Sequence, residues 1–184
     1  MATVYISFNA KINLFTTQNL LAATFDQLQK GATHIYYLFA SPGGEVAQGM
    51  TLYNIIKGLP VKTTMHNVGN VDSIGNAIFL AGKRRKASPH STFMFHGVGF
   101  DLTNPTRLEE KTLRECLGTI DADHKRIGSV ISQETALKGT KVNRLFRQAE
   151  TKDATYALDS GIIHSIEDVN LPAGAPLIQL VFQG

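Results

Sequence analysis

The chain has 184 residues, 43% of them hydrophobic and 18% charged, enough apolar material for a packed core and not the composition of a disordered segment. Its sequence pI is near 9.0, but the formal net charge is only +3, too small an excess to argue for a nucleic-acid partner. The lone Cys116 excludes an internal disulfide framework and a cysteine-built metal site, and no apolar run reaches the roughly 18–20 residues of a membrane span.

Val4 to Phe8 alternate as a strand, so near the start that no signal peptide or transit sequence is expected. Thr17 to Lys30 reads as a helix with Leu21, Phe25 and Leu28 on one face, and Gly31 stops it. His34 to Ala40 is a continuous apolar and aromatic run, suited to a strand buried on both faces. Glu45 to Lys57 predicts a helix through Val46, Met50 and Tyr53, ended by Gly58 and Pro60. Val61 to Asn67 is the next strand and Ser73 to Ala81 a short apolar helix. The basic run Lys83–Arg84–Arg85–Lys86 reads as a solvated turn after that helix, where cations suit the dipole.

Ser91 to His96 alternates as a strand through Phe93 and Phe95. Asn104–Pro105 is a helix start, and Leu113, Cys116, Leu117, Ile120, His124, Ile127 and Val130 continue a stripe at helical spacing. Thr140 to Gln148 and Asp153 to Ser160 predict two shorter helices. Ile162 to Ile166 follows as a late strand, and Leu177 to Phe182 as an edge strand. Strands alternating with helices imply an α/β fold with a largely parallel sheet, a spiral of similar strand-helix turns within a single domain over residues 1–184. A soluble, intracellular domain is expected.

Three segments fall at the C-terminal ends of consecutive predicted strands, where open α/β sheets place their sites. Ser41–Pro42–Gly43–Gly44 is either a tight strand-to-helix turn or a cradle of outward N–H groups for an oxyanion. It is no phosphate loop, since no Gly-Lys-Ser/Thr follows. Ser73, in Asp72–Ser73–Ile74–Gly75, is either an N-cap or a nucleophile whose oxyanion would form at a helix N-terminus. It does not match the G-x-S-x-G elbow, because Val71 stands at the first glycine position. His96, ending Phe93–Met94–Phe95–His96–Gly97, is either a surface residue or a general base. The histidines at 34, 66, 90, 124 and 164 lack such a neighbourhood, and none are paired at metal-binding i, i+4 spacing.

Taken together, these segments resemble the proteolytic subunit of the Clp proteases, within the wider crotonase-like fold. Ser41–Pro42–Gly43–Gly44 with Gly49, Met50 and Tyr53 is similar to that family's first segment. Asn67 to Gly75 is similar to its nucleophile segment, Phe93 to His96 to its histidine segment, and Ala157 to Ile166 to its closing segment. Gly44 and Ser73 stand 29 positions apart, as the family leads one to expect.

The resemblance implies a serine endopeptidase with Ser73 as nucleophile, His96 as general base, and the N–H groups of Gly44 and Ile74 as oxyanion hole. It implies no metal and no cofactor. Aligned without gaps from Gly161, the family's acid falls on Ala149. A one-residue slip brings in Glu150, the expected third member, with Asp153 or no acid as the alternatives. The long helical region, about residues 104–133, corresponds to the family's handle helix, which packs two rings together. The expected partners are peptide or unfolded-protein substrates and further copies of the chain in a homo-oligomeric ring, in the cytoplasm, with no membrane or nucleic acid. An ATPase unfoldase is a further implied partner. Three departures stand against it: no segment precedes the first strand, Gly97–Val98 follows His96 where the family has Gln-Pro, and Asp72 and Asn76 flank Ser73 where it has small residues. The alternative is an impaired Clp-like scaffold or binding protein without a proper acid. An acyl-CoA enzyme of the crotonase-like fold is a third reading, opposed by the Ser73 and His96 pair.

Overall fold

In the computed structural model, which describes residues 3–99 and 109–182, strands and helices alternate around one sheet. The strands are β1 (Thr3–Asn9), β2 (His34–Ser41), β3 (Lys62–Asp72), β4 (Arg84–Ala87), β5 (Thr92–Met94), β6 (Thr151–Asp153), β7 (Ser165–Ile166) and β8 (Leu177–Gln179). The helices are α1 (Leu14–Gln29), α2 (Val46–Lys57), α3 (Gly75–Leu80), α4 (Glu110–Glu134), α5 (Thr140–Gln148) and α6 (Ala154–Asp159). The sheet runs β6-β5-β3-β2-β1-β8, with β4 on β3 and β7 on β4. Among the described residues only the β5–β6 pairing is antiparallel. The predicted C-terminal edge strand is present and covers the free side of β1. No described helix is long and apolar enough to cross a membrane.

The third strand is longer than its sequence predicts, running on past Asn67 to Asp72. Thr64 to Asn67 pair with β4, and Asn70 to Asp72 pair with β5. Phe39 is opposite Asn67 but Ser41 is opposite Val71, so β3 bulges between the two stretches. This extension carries the next residue, Ser73, to the end of β5, where its N–H donates to the Met94 carbonyl at 2.9 Å.

Two expectations are corrected. Helix α1 starts at Leu14, because Asn13 and Thr16 form a reciprocal capping box. Its fully buried residues are Thr16, Thr17, Leu20 and Thr24, with Leu21 and Leu28 partly buried against the core, whereas Phe25 remains 42% exposed. Short threonine side chains let the helix approach the sheet closely, and Thr24 Oγ1 lies 3.1 Å from the Tyr37 hydroxyl. The basic run is not a solvated turn. It forms β4, and strand alternation sends Arg84 outward and Arg85 inward, where only 6% of it is exposed.

The long helix begins at Glu110, and its expected Asn104–Pro105 start lies outside the described residues. Only its second half joins the core, through Ile127, Val130 and Ile131. Leu113 and Leu117 are 45% and 60% exposed, so along its first turns the apolar stripe predicted from the sequence stays uncovered by the described residues.

One sheet face carries polar and aromatic residues in place of a helix-covered core. His66 is fully buried there, with Nδ1 2.7 Å from the Tyr36 hydroxyl and Nε2 3.3 Å from Ser88 Oγ. A neutral imidazole, with one donor and one acceptor, fits two hydroxyl neighbours. Burial pushes the His66 pKa below its ordinary value of 6.5, and burial pushes His34 the same way. Below about pH 6.5 the unfolded chain therefore takes up the proton first, and folding loses free energy until the lower folded pKa is passed. The melting temperature is expected to fall on acidification from about pH 7 to about pH 5, with a shallower fall in His66→Gln. An equal slope in the two proteins would remove His66 as the cause.

Candidate active site

The glycine turn after β2 is forced by close packing. Ile12 N–H donates to the Gly43 carbonyl at 2.8 Å and Glu45 N–H to the Ile12 carbonyl at 2.9 Å, which clamps Gly44 between them. A Cβ on Gly44 would collide with the Ile12 carbonyl oxygen, and one on Gly43 would stand 2.6 Å from Ser73 Cβ. Gly43 and Gly44 also have φ of 87° and 147°, in the region that favours glycine. The turn is therefore tight at both glycines, against Ser73 at Gly43 and against Ile12 at Gly44. The turn leaves the Gly44 N–H without an acceptor among the described residues.

Ser73 has φ of 55°, one of two non-glycine residues with positive φ among those described, the other being Ala149. A left-handed serine costs roughly 1–2 kcal/mol and marks a position where geometry is imposed by the surroundings. The N-cap reading fails: Ile74 is the N-cap of α3, with no side-chain cap, and Ser73 Oγ makes no hydrogen bond among the described residues. The Ile74 N–H has no acceptor among them either. Gly49 permits this arrangement, because a Cβ there would strike the Ile74 side chain.

His96 lies two residues beyond β5 and is exposed. With Ser73, Gly44 and Ile74 it lines one cavity of about 210 Å³, whose other walls include Val46, Phe95, Ile127 and Phe146. The structure thus brings four of the five expected residues to one place. No hydrogen bond joins Ser73 Oγ to the His96 ring in this state.

Glu150, the fifth, is elsewhere. Alternation along β6 sets it on the same side as Lys152, and the two side chains pair. That ion pair holds the Glu150 carboxyl below the usual carboxylate range. Both residues line a separate cavity of about 390 Å³, together with Arg144 and Tyr156. The β5–β6 pairing ends at Met94 and Thr151, short of His96, and Ala149, the position reached without any slip, is the left-handed C-cap of α5 with φ of 50°. Asp153 caps α6, accepting from the Tyr156 N–H at 2.7 Å. Among the described residues no three His, Cys, Asp or Glu side chains are grouped to hold a metal ion.

Asn76, which the sequence marks only as a departure from the family, has a structural part at the site. It is 1% exposed, and its Nδ2 donates to the Ser73 carbonyl at 3.1 Å and the Met94 carbonyl at 2.8 Å. It thereby ties the serine turn to the strand that leads to His96. An asparagine in an otherwise apolar helix was the available signal.

A largely parallel sheet spiralling through strand-helix turns, with a serine hydroxyl and two N–H groups unpaired among the described residues at one cavity, defines an α/β protein of the crotonase-like class. The family model described as Clp protease matches residues 3–170, and the chain belongs to that family. It is 28% identical over 143 residues to an ATP-dependent Clp protease proteolytic subunit 2 of Treponema pallidum, covering 72% of this chain and 65% of that protein. It is 29% identical over 136 residues to a proteolytic subunit 1 of Chlamydia abortus, covering 72% of this chain and 69% of that one. The chain thus spans about two thirds of these relatives. A solved ClpP1 mutant from Listeria monocytogenes shares the fold, with a TM-score of 0.76, 91% of each chain covered and 21% identity.

Proposed function

We propose that the chain is a serine endopeptidase of the Clp proteolytic-subunit type, acting on peptides or unfolded proteins through an acyl-enzyme on Ser73. The observation that carries this reading is the unpaired Ser73 hydroxyl, held at φ 55° beside the two N–H groups of Gly44 and Ile74 in the cavity that His96 lines. His96 takes the proton of Ser73 Oγ as the oxygen attacks a peptide carbonyl. Charge develops on the carbonyl oxygen, where the Gly44 and Ile74 N–H groups stabilise it. Losing one such donor costs about 10²–10³ in rate. The tetrahedral species collapses as His96 returns the proton to the leaving amine. A water, deprotonated by His96, then hydrolyses the ester and regenerates Ser73.

Glu150 is not part of this scheme, because it is held by Lys152. The His96 ring has no carboxylate partner among the described residues, and turnover below that of a complete triad is expected, by up to about 10⁴. The exposed Leu113 and Leu117 on α4 support assembly into a homo-oligomer through that helix. The relatives are named as ATP-dependent and support a cytoplasmic location, while Gly97–Val98 after His96 and the Asp72 and Asn76 side chains weigh against an ATPase partner.

A fluorophosphonate that labels activated serines tests the reading. Wild type and Glu150→Gln are expected to be labelled on Ser73, and Ser73→Ala and His96→Ala are not. An unlabelled wild type would leave the scaffold reading in its place, and loss of label in Glu150→Gln would restore that residue as the acid.

A further inference from the structure

His124 was set aside in the sequence as one more residue of a helical stripe, yet it reaches the segment that follows the general base. Its Nε2 lies 2.8 Å from the Val98 nitrogen and accepts that N–H, across 26 positions of sequence. Its ring stacks on Phe146 of α5, with centroids 5.2 Å apart and planes 17° from parallel. The Phe146 carbonyl in turn accepts the Gly97 N–H at 3.0 Å. A Cβ on Gly97 would stand 3.0 Å from His124 Nε2, so a side chain there, where the family has glutamine, would make the His124 ring give way by a few tenths of an ångström. The two peptide N–H groups directly after His96 are thus both held by one unit, His124 on α4 and Phe146 on α5.

We infer that His124 is a positioning residue for the peptidase reaction, holding the Gly97–Val98 backbone and through it the His96 ring in line with Ser73. This inference rests on the peptidase reading. On the other side of His96, β5 is anchored by pairing with β3 and by the Asn76 bond to the Met94 carbonyl. With no carboxylate among the described residues joined to the His96 ring, backbone restraint acts on both sides of that residue to orient it. Val98 and Phe146 also line the Ser73 cavity, so the same contact shapes the wall against which a substrate side chain lies. The acceptor role requires a neutral ring with its proton on Nδ1.

The test uses two variants of this half-exposed residue that differ in what they keep. His124→Phe preserves a ring on Phe146 and removes the acceptor, whereas His124→Gln restores an acceptor oxygen without the ring. Val98 amide exchange is expected to speed up in the Phe variant and to return towards wild type in the Gln variant. The rate of fluorophosphonate labelling and kcat are expected to fall about 10- to 100-fold in the Phe variant, as misplacement of a catalytic group does, and to recover to within about threefold in the Gln variant. Unchanged Val98 exchange in the Phe variant would overturn the inference by removing the bond. Faster exchange with unchanged labelling would overturn it by removing the positioning role. If wild type itself is unlabelled, the peptidase reading falls and the positioning role with it, while the Val98 result still reports the contact.

Discussion

Replacing Ser73 by glycine is expected to abolish peptide hydrolysis and to make the protein more stable. Loss of the nucleophile in serine peptidases lowers kcat by about 10⁶, so turnover should fall to background. The stability gain has a separate cause. Ser73 is held at φ 55°, and the Ser73 N–H to Met94 bond, the Asn76 bond to its carbonyl and the packing on Gly43 all enforce that conformation. None of these needs the hydroxyl, which makes no hydrogen bond among the described residues. Glycine adopts the conformation without the Cβ penalty and should raise stability by about 1 kcal/mol, despite its greater unfolded-state entropy. Ser73→Ala removes the same hydroxyl but keeps the Cβ, and is expected to be inactive with little change in stability. Thermal unfolding of the three proteins decides the matter: a glycine variant less stable than the alanine variant would show that the backbone there is not strained. The expected pattern is that of a site in which local stability is given up to present a reactive oxygen.

Replacing Arg85 by methionine is expected to cost about 3–5 kcal/mol, the range for removing one partner from a buried ionic network. Arg85 Nε donates to the Ile162 carbonyl at 2.7 Å and Nη1 to Gly82 at 3.3 Å, while Nη2 donates to Glu134 at 2.9 Å and Gly161 at 3.2 Å. The Glu134 carboxylate stands 3.8 Å from Nη1 and also takes Lys57 at 2.7 Å and the Tyr53 hydroxyl at 3.1 Å. Burial and that carboxylate together push the Tyr53 pKa up to about 12, so the hydroxyl stays a donor. Methionine fills much of the space and leaves these carbonyls unpaired in the interior, each a desolvation cost with no compensating bond. The network joins the end of α4 to β4 and to the turn after α6, so the damage would reach the helix that carries His124. Urea unfolding should show the loss, with Arg84→Met, its exposed strand neighbour, within about 0.5 kcal/mol of wild type. A loss below about 1 kcal/mol for Arg85→Met would mean that water reaches these groups.

The corrections divide by physical cause. Local signals worked where one interaction dominates, as at Gly31 and Gly58, which end helices, and over Thr140–Gln148, whose bounds agree with the structure. They failed where the decision is made by distant partners. Arg85 reads as a surface cation until the carbonyls of Gly82, Glu134, Gly161 and Ile162 converge on it. Phe25 reads as core until threonines are seen to give the closer fit to the sheet. Glu150 fits the chemistry of a triad acid, but one residue of strand phase turns it to Lys152.

The amino-acid sequence by itself determined the alternation of strands and helices and the two glycines of the turn after β2, and through its family resemblance it singled out Ser73 and His96 as candidates. These are legible because periodicity, glycine's conformational range and side-chain chemistry are properties of short segments. Only the tertiary structure decided that β3 runs far enough to set Ser73 against Met94 and that the serine hydroxyl is not a helix cap. It also decided that Glu150 pairs with Lys152, and that His124 and Asn76 hold the backbone on either side of His96. Each of those depends on strand register or on a contact between residues far apart in the chain, and register and packing are settled by the whole core at once.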